Sequence, residues 1–315
     1  MPVKDLSIVV PICDEEQSLP ILVEGILAVA RDHALDLRQI VLVDDGSRDG
    51  SWPVICSLAA THRPVLGLRL RRNFGKSTAL NVGIGVATGR IIVTMDADLQ
   101  DDPLDLPRLV EALAAGCDLV SGWKKVRHDS WSKTLPSRLF NLATARLSGV
   151  PLHDFNSGFK AYRREVFDAV ELYGELHRFV PVLASSLGFR IGELGVQHHP
   201  RRFGRSKFGL GRLLHGFIDL LTVLAITRYA RSPGHLFGGA GMLLMIVGAG
   251  VLGYLTGLKV VTGADIGTRP LLLFGVMAVI VGLQVLFFGL LAELINSRAP
   301  GAPPEALIRE RTTGA

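Results

Sequence analysis

Two stretches near the C-terminal end, Leu236–Leu258 and Pro270–Ala292, each run for 23 residues without a charged side chain. Gln284 is the only strongly polar residue of the second. A helix rises about 1.5 Å per residue, so each stretch is long enough to cross roughly 30 Å of hydrocarbon. The competing reading is two buried core helices. It would require one soluble domain to enclose two wholly apolar helices joined by the eleven-residue link Lys259–Arg269. A hairpin of two transmembrane helices is expected instead, and the rest of the chain must fold beside a membrane.

Basic residues set the expected orientation. Gln197–Arg231 holds Arg201, Arg202, Arg205, Lys207, Arg212, Arg228 and Arg231 against the single acid Asp219. The link offers Lys259 and Arg269 against Asp265, and the tail carries Arg298, Arg309 and Arg311. Positive charge is retained on the cytoplasmic side, so both termini are expected there. Met1–Val10 opens with a strand-like run and lacks a long apolar region, so no signal peptide is expected. Cys13, Cys56 and Cys117 are odd in number and scattered, which fits a reducing compartment and no disulfide framework. Leu213–Ile226 is apolar but contains His215 and Asp219. Short and preceded by a basic cluster, it is expected to be an interfacial helix rather than a third span.

The first two-thirds of the chain alternate in period. Leu6–Pro11, Gln39–Val43, Val65–Leu70, Arg90–Thr94 and Asp118–Ser121 read as strands. Leu19–Arg31, Trp52–Thr61 (capped by Ser51), Lys76–Ala87 and Leu106–Ala115 read as helices. Such alternation predicts an α/β fold with a doubly wound, mostly parallel sheet. The expected partition is a catalytic domain over 1–210, an interfacial helix over 211–233, the transmembrane hairpin over 234–295 and a flexible, Pro/Ala/Gly-rich tail over 296–315.

Three strands end in acids. Asp14-Glu15-Glu16 follows the first, Asp44-Asp45-Gly46-Ser47 the second, and Asp96-Ala97-Asp98-Leu99-Gln100 the fourth. Ligands of open α/β sheets bind at the C-terminal strand ends. Two carboxylates one residue apart suit a divalent cation whose shell is completed by nucleotide phosphates. Any one of these pairs alone is equally a turn or helix cap; three on one sheet edge favour a site. Arg72–Ser77 is not a phosphate loop, because the first glycine of that motif would fall at Leu70. Lys76 can still reach a phosphate from a helix start. Gly83, Gly85 and Gly89 lie within and after a helix rather than after a strand, which excludes a dinucleotide fingerprint. Two basic clusters, Trp123–Arg146 and Arg202–Lys207, suggest a substrate with phosphates on both sides of the acidic edge. No nucleic-acid recognition motif is present, and no nucleic-acid partner is expected.

Pro11 with Asp14-Glu15-Glu16, Asp44-Asp45-Gly46-Ser47, Asp96-Ala97-Asp98-Leu99-Gln100, Asn156-Ser157-Gly158-Phe159-Lys160 and Arg202-x-Gly204-x-Ser206-Lys207 occur in the order of a known family. Over about residues 5–210 the chain resembles GT-A glycosyltransferases of family 2, in the polyprenyl-phosphate group that includes dolichol-phosphate mannose synthase and bacterial undecaprenyl-phosphate glucosyltransferases. The resemblance implies a GT-A fold and a nucleotide-binding set of Pro11, Cys13, Glu15, Asp44, Asp45, Lys76, Asp96 and Ala97. Family members usually carry an aromatic residue at the position of Cys13, so base stacking is not carried over. Asp96, Asp98 and Gln100 would hold Mg²⁺ or Mn²⁺. Asp98, Arg127, Arg202 and Lys207 would carry the transfer, with Arg127 and Ser137 on the acceptor phosphate. His153 and Asp154 are open between loop capping and sugar contact.

The implied reaction is inverting transfer of a hexose, UDP-glucose favoured, to undecaprenyl phosphate at the cytoplasmic face of the inner (plasma) membrane, by a multi-pass, homo-oligomeric protein of the cell envelope. A phosphate oxygen is already anionic near neutral pH, so no general base is needed, unlike transfer to a sugar hydroxyl. GDP-mannose is the alternative donor. A processive polysaccharide synthase is disfavoured by the absence of a Gln-x-x-Arg-Trp motif. The reading from another class is a non-catalytic subunit that binds nucleotide sugar, against which the complete Asp96/Asp98/Gln100 set argues.

Overall fold

The computed structural model describes residues 5–125, 131–170, 176–203 and 233–298, apart from 264 and 268. These fall into two compact units, one N-terminal and one formed by the two C-terminal helices.

The N-terminal unit runs β1 (Leu6–Ile12), α1 (Leu19–Asp32), β2 (Leu37–Asp44), α2 (Ser51–Thr61), β3 (Val65–Arg69), α3 (Lys76–Val86), β4 (Ile91–Thr94), α4 (Leu106–Ala114), β5 (Leu119–Lys124), α5 (Trp131–Ser148), β6 (Lys160–Arg163), α6 (Arg164–Ala169), α7 (Val180–Ser186) and β7 (Ile191–Val196). The seven strands form one sheet in the order β3-β2-β1-β4-β6-β5-β7. All neighbours are parallel except around β6, which runs antiparallel to both β4 and β5. The GT-A expectation is met as a mixed sheet.

β1 and β2 are near-continuous apolar runs because helices cover both faces. Leu6, Ile8 and Val10 join Leu22, Ile26, Leu106 and Leu109 in one buried cluster. On the other face α3 comes down onto the sheet at Gly83, where a Cβ would sit 2.5 Å from Val9 Cγ1 and 2.9 Å from Val43 Cγ2. Close approach there requires glycine.

Strands and helices fall within one or two residues of expectation, with β5 three residues longer at its end. Ser51 does not cap α2. It is the first helical residue, Gly50 holds the cap position, and Asp49 Oδ1 accepts from both Ser51 N (3.0 Å) and Ser51 Oγ (2.6 Å). The strand β6 escapes the hydrophobic pattern because it carries Lys160 and Tyr162, yet Lys160, Ala161 and Tyr162 are all buried.

The second unit is a hairpin of α8 (Pro233–Thr262) and α9 (Pro270–Arg298). Phe237–Thr262 and Pro270–Ile295 are long and apolar enough to cross a membrane, and only 17% of either window is buried. A core helix of a soluble protein would be mostly covered, so the low burial favours lipid. The helices touch through glycines. A Cβ on Gly241 would lie 2.5 Å from Gly282 O, and one on Gly248 would lie 2.7 Å from Gly275 O. Small residues at such crossings let apolar helices pack where lipid removes the hydrophobic drive. The expected interfacial helix over 211–233 and nearly all of the tail lie outside the described residues.

Candidate active site

The loops after β1, β2 and β4 stand side by side on the sheet edge, because those strands are consecutive in the sheet. The β1–β4 ladder ends at the Val9–Thr94 pair, two residues before Pro11. Pro11 therefore costs no hydrogen bond to β4. Beyond it the chain turns at Asp14, which has a positive φ of 58°. That turn is held by the β2 loop: Asp14 N donates to Ser47 Oγ (3.0 Å), Arg48 N to Asp14 Oδ1 (2.8 Å) and Glu15 N to Ser51 Oγ (2.9 Å). Cys13 Sγ accepts from Asn73 Nδ2 at 3.4 Å, which joins the third loop to the first.

Asp44 and Asp45 take different tasks. Asp44 Oδ1 accepts from Ser47 N at 2.8 Å, while its Oδ2 lies 3.1 Å from Arg69 Nε as an ion pair. Asp45 spends both carboxylate oxygens on backbone, accepting from Phe74 N (2.7 Å) and Gly75 N (2.9 Å). That fixes the loop from which α3 starts, so Asp45 acts in the described geometry by placing Lys76. Gly75 has φ +94°, the left-handed region that glycine enters without strain.

Lys76 Nζ reaches Asp96 Oδ1 at 2.5 Å. Gly158, from the Asn156–Lys160 segment, passes so close to Asp96 that a Cβ there would overlap the carboxylate. Thr94 Oγ1 donates to Gly158 O at 2.8 Å and holds the segment in place. Ala97 is buried, and Leu99 turns the loop with φ 60°, strained for a residue with a Cβ. Asp98 Oδ1 accepts from Gln100 N (3.2 Å), and Gln100 Nε2 donates to His199 O (3.5 Å).

The strand-like segment after β7 pairs back onto this loop. His199 N donates to Gln100 O at 2.8 Å, Asp101 and His198 form an antiparallel bridge, and His199 Nε2 lies 2.9 Å from Asp102 Oδ2. Arg201 is thereby delivered to the acids: its Nη2 is 2.6 Å from Asp98 Oδ2 and its Nη1 is 3.6 Å from Glu15 Oε1. Arg201 and the candidate from sequence, Arg202, are both exposed as whole residues, and the ion pairs with Asp98 and Glu15 are made by Arg201. Arg201 is the residue that sequence reasoning missed, and pairing of 198–199 with the acidic loop is the information it lacked. Arg127 and Lys207 lie outside the described residues. Ser137 is on α5, where its Oγ accepts from Asn156 Nδ2 at 3.3 Å.

The site is electrostatically balanced. Burial pushes Asp96 upward, but Lys76, Lys124 and Lys160 outweigh it and hold the carboxyl below its usual value. Burial and the neighbouring Asp96 push Asp98 up, only partly offset by Arg201. Burial acts to lower Lys124, but Asp101, 2.7 Å away, and Asp96 raise it overall. Burial and the like charge of Lys76 bring fully buried Lys160 down to about 7; its Nζ donates to Phe155 O at 3.1 Å. Asp154 Oδ1 accepts from Asn156 N at 3.1 Å and His153 Nδ1 meets Glu193 Oε2 at 2.7 Å, so both shape the loop.

The donor set fits a hard divalent cation. Asp96 and Asp98 supply carboxylate oxygens from one loop, and Gly158 leaves room for the Asp96 head. Asp101 Oδ2 is buried without a hydrogen-bond partner. No cluster of three or more His, Cys, Asp or Glu side chains is preformed among the described residues, so an ion held there would need phosphate or water oxygens to complete its shell.

The description "Glycosyl transferase family 2" belongs to the family model that matches residues 7–171. The chain is 42% identical over 317 residues to dodecaprenyl-phosphate galacturonate synthase of Rhizobium johnstonii, covering 97% of this chain and 92% of the relative. It is 36% identical over 298 residues to undecaprenyl-phosphate 4-deoxy-4-formamido-L-arabinose transferase of Aeromonas hydrophila, covering 93% and 89%. Among solved structures it resembles glucosyl-3-phosphoglycerate synthase from Mycobacterium tuberculosis in complex with Mn²⁺ and UDP-glucose, with TM-score 0.52 and 23% identity over 70% of this chain and 78% of that one. At that identity the likeness speaks for the fold alone.

Proposed function

The chain belongs to glycosyl transferase family 2 and is a polyprenyl-phosphate glycosyltransferase; from that premise we propose that its donor is a nucleotide-activated hexuronic acid, with galacturonate the first candidate. The carrying observation is the 42% identity over 97% of the chain to a protein named for galacturonate. UDP-glucose, the expectation from sequence, has only the shared fold behind it, and GDP-mannose has no observation in its favour.

Pro11, Cys13, Glu15 and Asp44 line the nucleotide side of the proposed site, and Asp45 positions Lys76. Asp96 and Asp98 would hold Mg²⁺ or Mn²⁺, with Gln100 beside them. When bound with the donor diphosphate, such an ion neutralises the charge developing on the leaving group. Arg201 and Lys76 balance these carboxylates in the donor-free protein, and both cations are placed to meet diphosphate oxygens. Arg127 and Ser137 are assigned to the acceptor side and the approach of the lipid phosphate, and Lys207 to the leaving diphosphate.

An oxygen of that phosphate attacks the anomeric carbon from the face opposite the diphosphate. The new carbon–oxygen bond forms as the bond to the nucleoside diphosphate breaks, and the configuration inverts. Phosphate monoesters have a second pKa of about 6, so the attacking oxygen is already ionised. The side chains contribute positioning and charge stabilisation rather than proton transfer.

The domain partition follows the same reading. Residues 1–210 carry catalysis at the cytoplasmic face of the inner membrane. Residues 234–295 anchor them as one helical hairpin, not a larger multi-pass bundle, among the described residues. Residues 211–233 lie at the interface, 296–315 form the tail, and the whole assembles as a homo-oligomer.

A screen of UDP-galacturonate, UDP-glucose, GDP-mannose and a UDP-linked 4-deoxy-4-formamido-arabinose against undecaprenyl phosphate tests the reading, with label followed into the lipid phase. Transfer from UDP-galacturonate at least tenfold above UDP-glucose is expected. Preference for glucose overturns the donor assignment. EDTA and Asp98→Ala should each abolish transfer; near-wild-type activity in EDTA overturns the metal assignment.

A further inference from the structure

The catalytic unit contains a cavity of about 500 Å³ between the end of β5 and the outer half of α5. Small-ligand pockets span about 300–1,000 Å³, and the donor-site residues leave this one unused. Its walls are mostly apolar, with Trp123 from β5, Leu142 and Ala145 from α5, and Leu152 from the loop that follows. Lys124, Lys125, Asn141 and His153 supply the polar part. The His153 ring stacks on Trp123 with centroids 4.1 Å apart, and Lys125 Nζ lies 5.0 Å from the Trp123 ring centroid. Glu193 on β7 meets His153 at 2.7 Å and holds the imidazole against the indole.

We propose that this cavity receives the first isoprene units of the acceptor's prenyl chain. The proposal rests on the polyprenyl-phosphate reading and extends it from the head of the acceptor to its tail.

Three observations carry it. The first is chemical match. A prenyl phosphate is an anion on an apolar chain, and the cavity is mostly apolar with the lysines Lys124 and Lys125 in its polar part. A sugar ring would need a wall of hydrogen-bonding groups, and burying its hydroxyls against Leu142, Ala145 and Leu152 would leave them unpaired.

The second is continuity along α5. Ser137, the candidate for the acceptor phosphate, precedes Ala145 by eight residues, about 12 Å of helix. Ser137, Asn141 and Ala145 are four residues apart and share one face. Asn141 also lines the cavity. Asn141 and Asn156 hold that face under the 153–156 loop, so a chain from a phosphate near Ser137 would reach the pocket over its exposed rim at Leu142.

The third is separation from the donor. Lys124 lines the cavity, yet its ammonium is committed to Asp101 at 2.7 Å on the acidic loop. The tail would thus lie beside the donor site with a charged partition between them. Leu142, 54% exposed, is an apolar side chain that an occupant would cover.

The test is a chain-length series. Transfer is measured on the full-length protein with five-carbon, fifteen-carbon and undecaprenyl phosphates, and the kcat/KM ratio of the fifteen- to the five-carbon acceptor is the readout. Leu142→Gln places a polar group at the rim without touching the core. Ala145→Phe fills the cavity. Each should lower the ratio by about tenfold, the equivalent of roughly two buried methylenes. Nucleotide titration checks that each variant is folded, and Leu142→Gln decides if Ala145→Phe is not. An unchanged ratio in folded variants overturns the proposal. Absence of transfer to every prenyl phosphate by the wild-type chain is a separate result that overturns the acceptor reading itself.

Discussion

Arg201 Nη2 lies 2.6 Å from Asp98 Oδ2, and the same guanidinium reaches to 3.6 Å from Glu15 Oε1. One side chain from the segment after β7 therefore ties the β1 and β4 loops together. With Lys76 on Asp96, it gives both carboxylates of the Asp-x-Asp pair a cation before any donor arrives.

This contact separates two adjacent arginines. Arg201→Ala should weaken binding of nucleoside diphosphate with Mn²⁺ by about tenfold or more, because a charged hydrogen bond is worth roughly 1.5–3 kcal/mol. Arg202→Ala should change donor affinity less than about threefold, because the contacts with Asp98 and Glu15 are made by Arg201. Calorimetric titration of both variants decides it, and equal losses would contradict the assignment.

Gly158 predicts a second asymmetry. In Gly158→Ala the new methyl overlaps the Asp96 carboxylate, so the loop must shift. Stability should fall by about 1–3 kcal/mol, and transfer by at least tenfold. Gly85 in α3 has nothing within 4 Å of a built Cβ. Gly85→Ala should raise stability by about 0.5–1 kcal/mol through its helix propensity. Denaturation midpoints of the two variants, measured in the same detergent, give opposite signs if the packing is as described.

Lys160 gives stability a pH dependence. Its folded value, about 7, lies below the ordinary 10.5, so the folded chain releases this proton first. Between those values the unfolded chain binds more protons, and stability rises with pH. Below about pH 7 the lysine is charged in both states and this gain is absent. Unfolding of the wild type followed from pH 6.5 to 9 should show the rise, and Lys160→Met should flatten it. A parallel slope in the variant would assign the effect elsewhere.

The hairpin predicts a labelling pattern. A cysteine at Gly267, in the link, should react with a membrane-impermeant maleimide added outside cells. One at Glu310 should react only after permeabilisation. The motive is the crowding of basic residues before α8 and their scarcity in the link. Reversed labelling would invert the proposed orientation.

Hydrophobic period and side-chain type alone determined much of this protein. Buried strands such as β1 read as unbroken apolar runs because both faces are covered. The two long C-terminal helices were legible as candidate spans because each carries 23 successive residues without a charge. The acids after β1, β2 and β4 were legible because parallel strands put their C-terminal ends on one edge. Tertiary structure alone decided what neighbours in space rather than along the chain control. β6 holds a central position although Lys160 and Tyr162 disguise it, since burial among partners overrode its local pattern. Asp45 became an anchor for the loop before α3 once two backbone N–H groups from residues 74 and 75 came within reach. Arg201 meets Asp98 because pairing of residues 198–199 with the acidic loop brings the following segment onto the acids. Sequence carries the chemistry available to a site; the register of distant segments selects which of it is used.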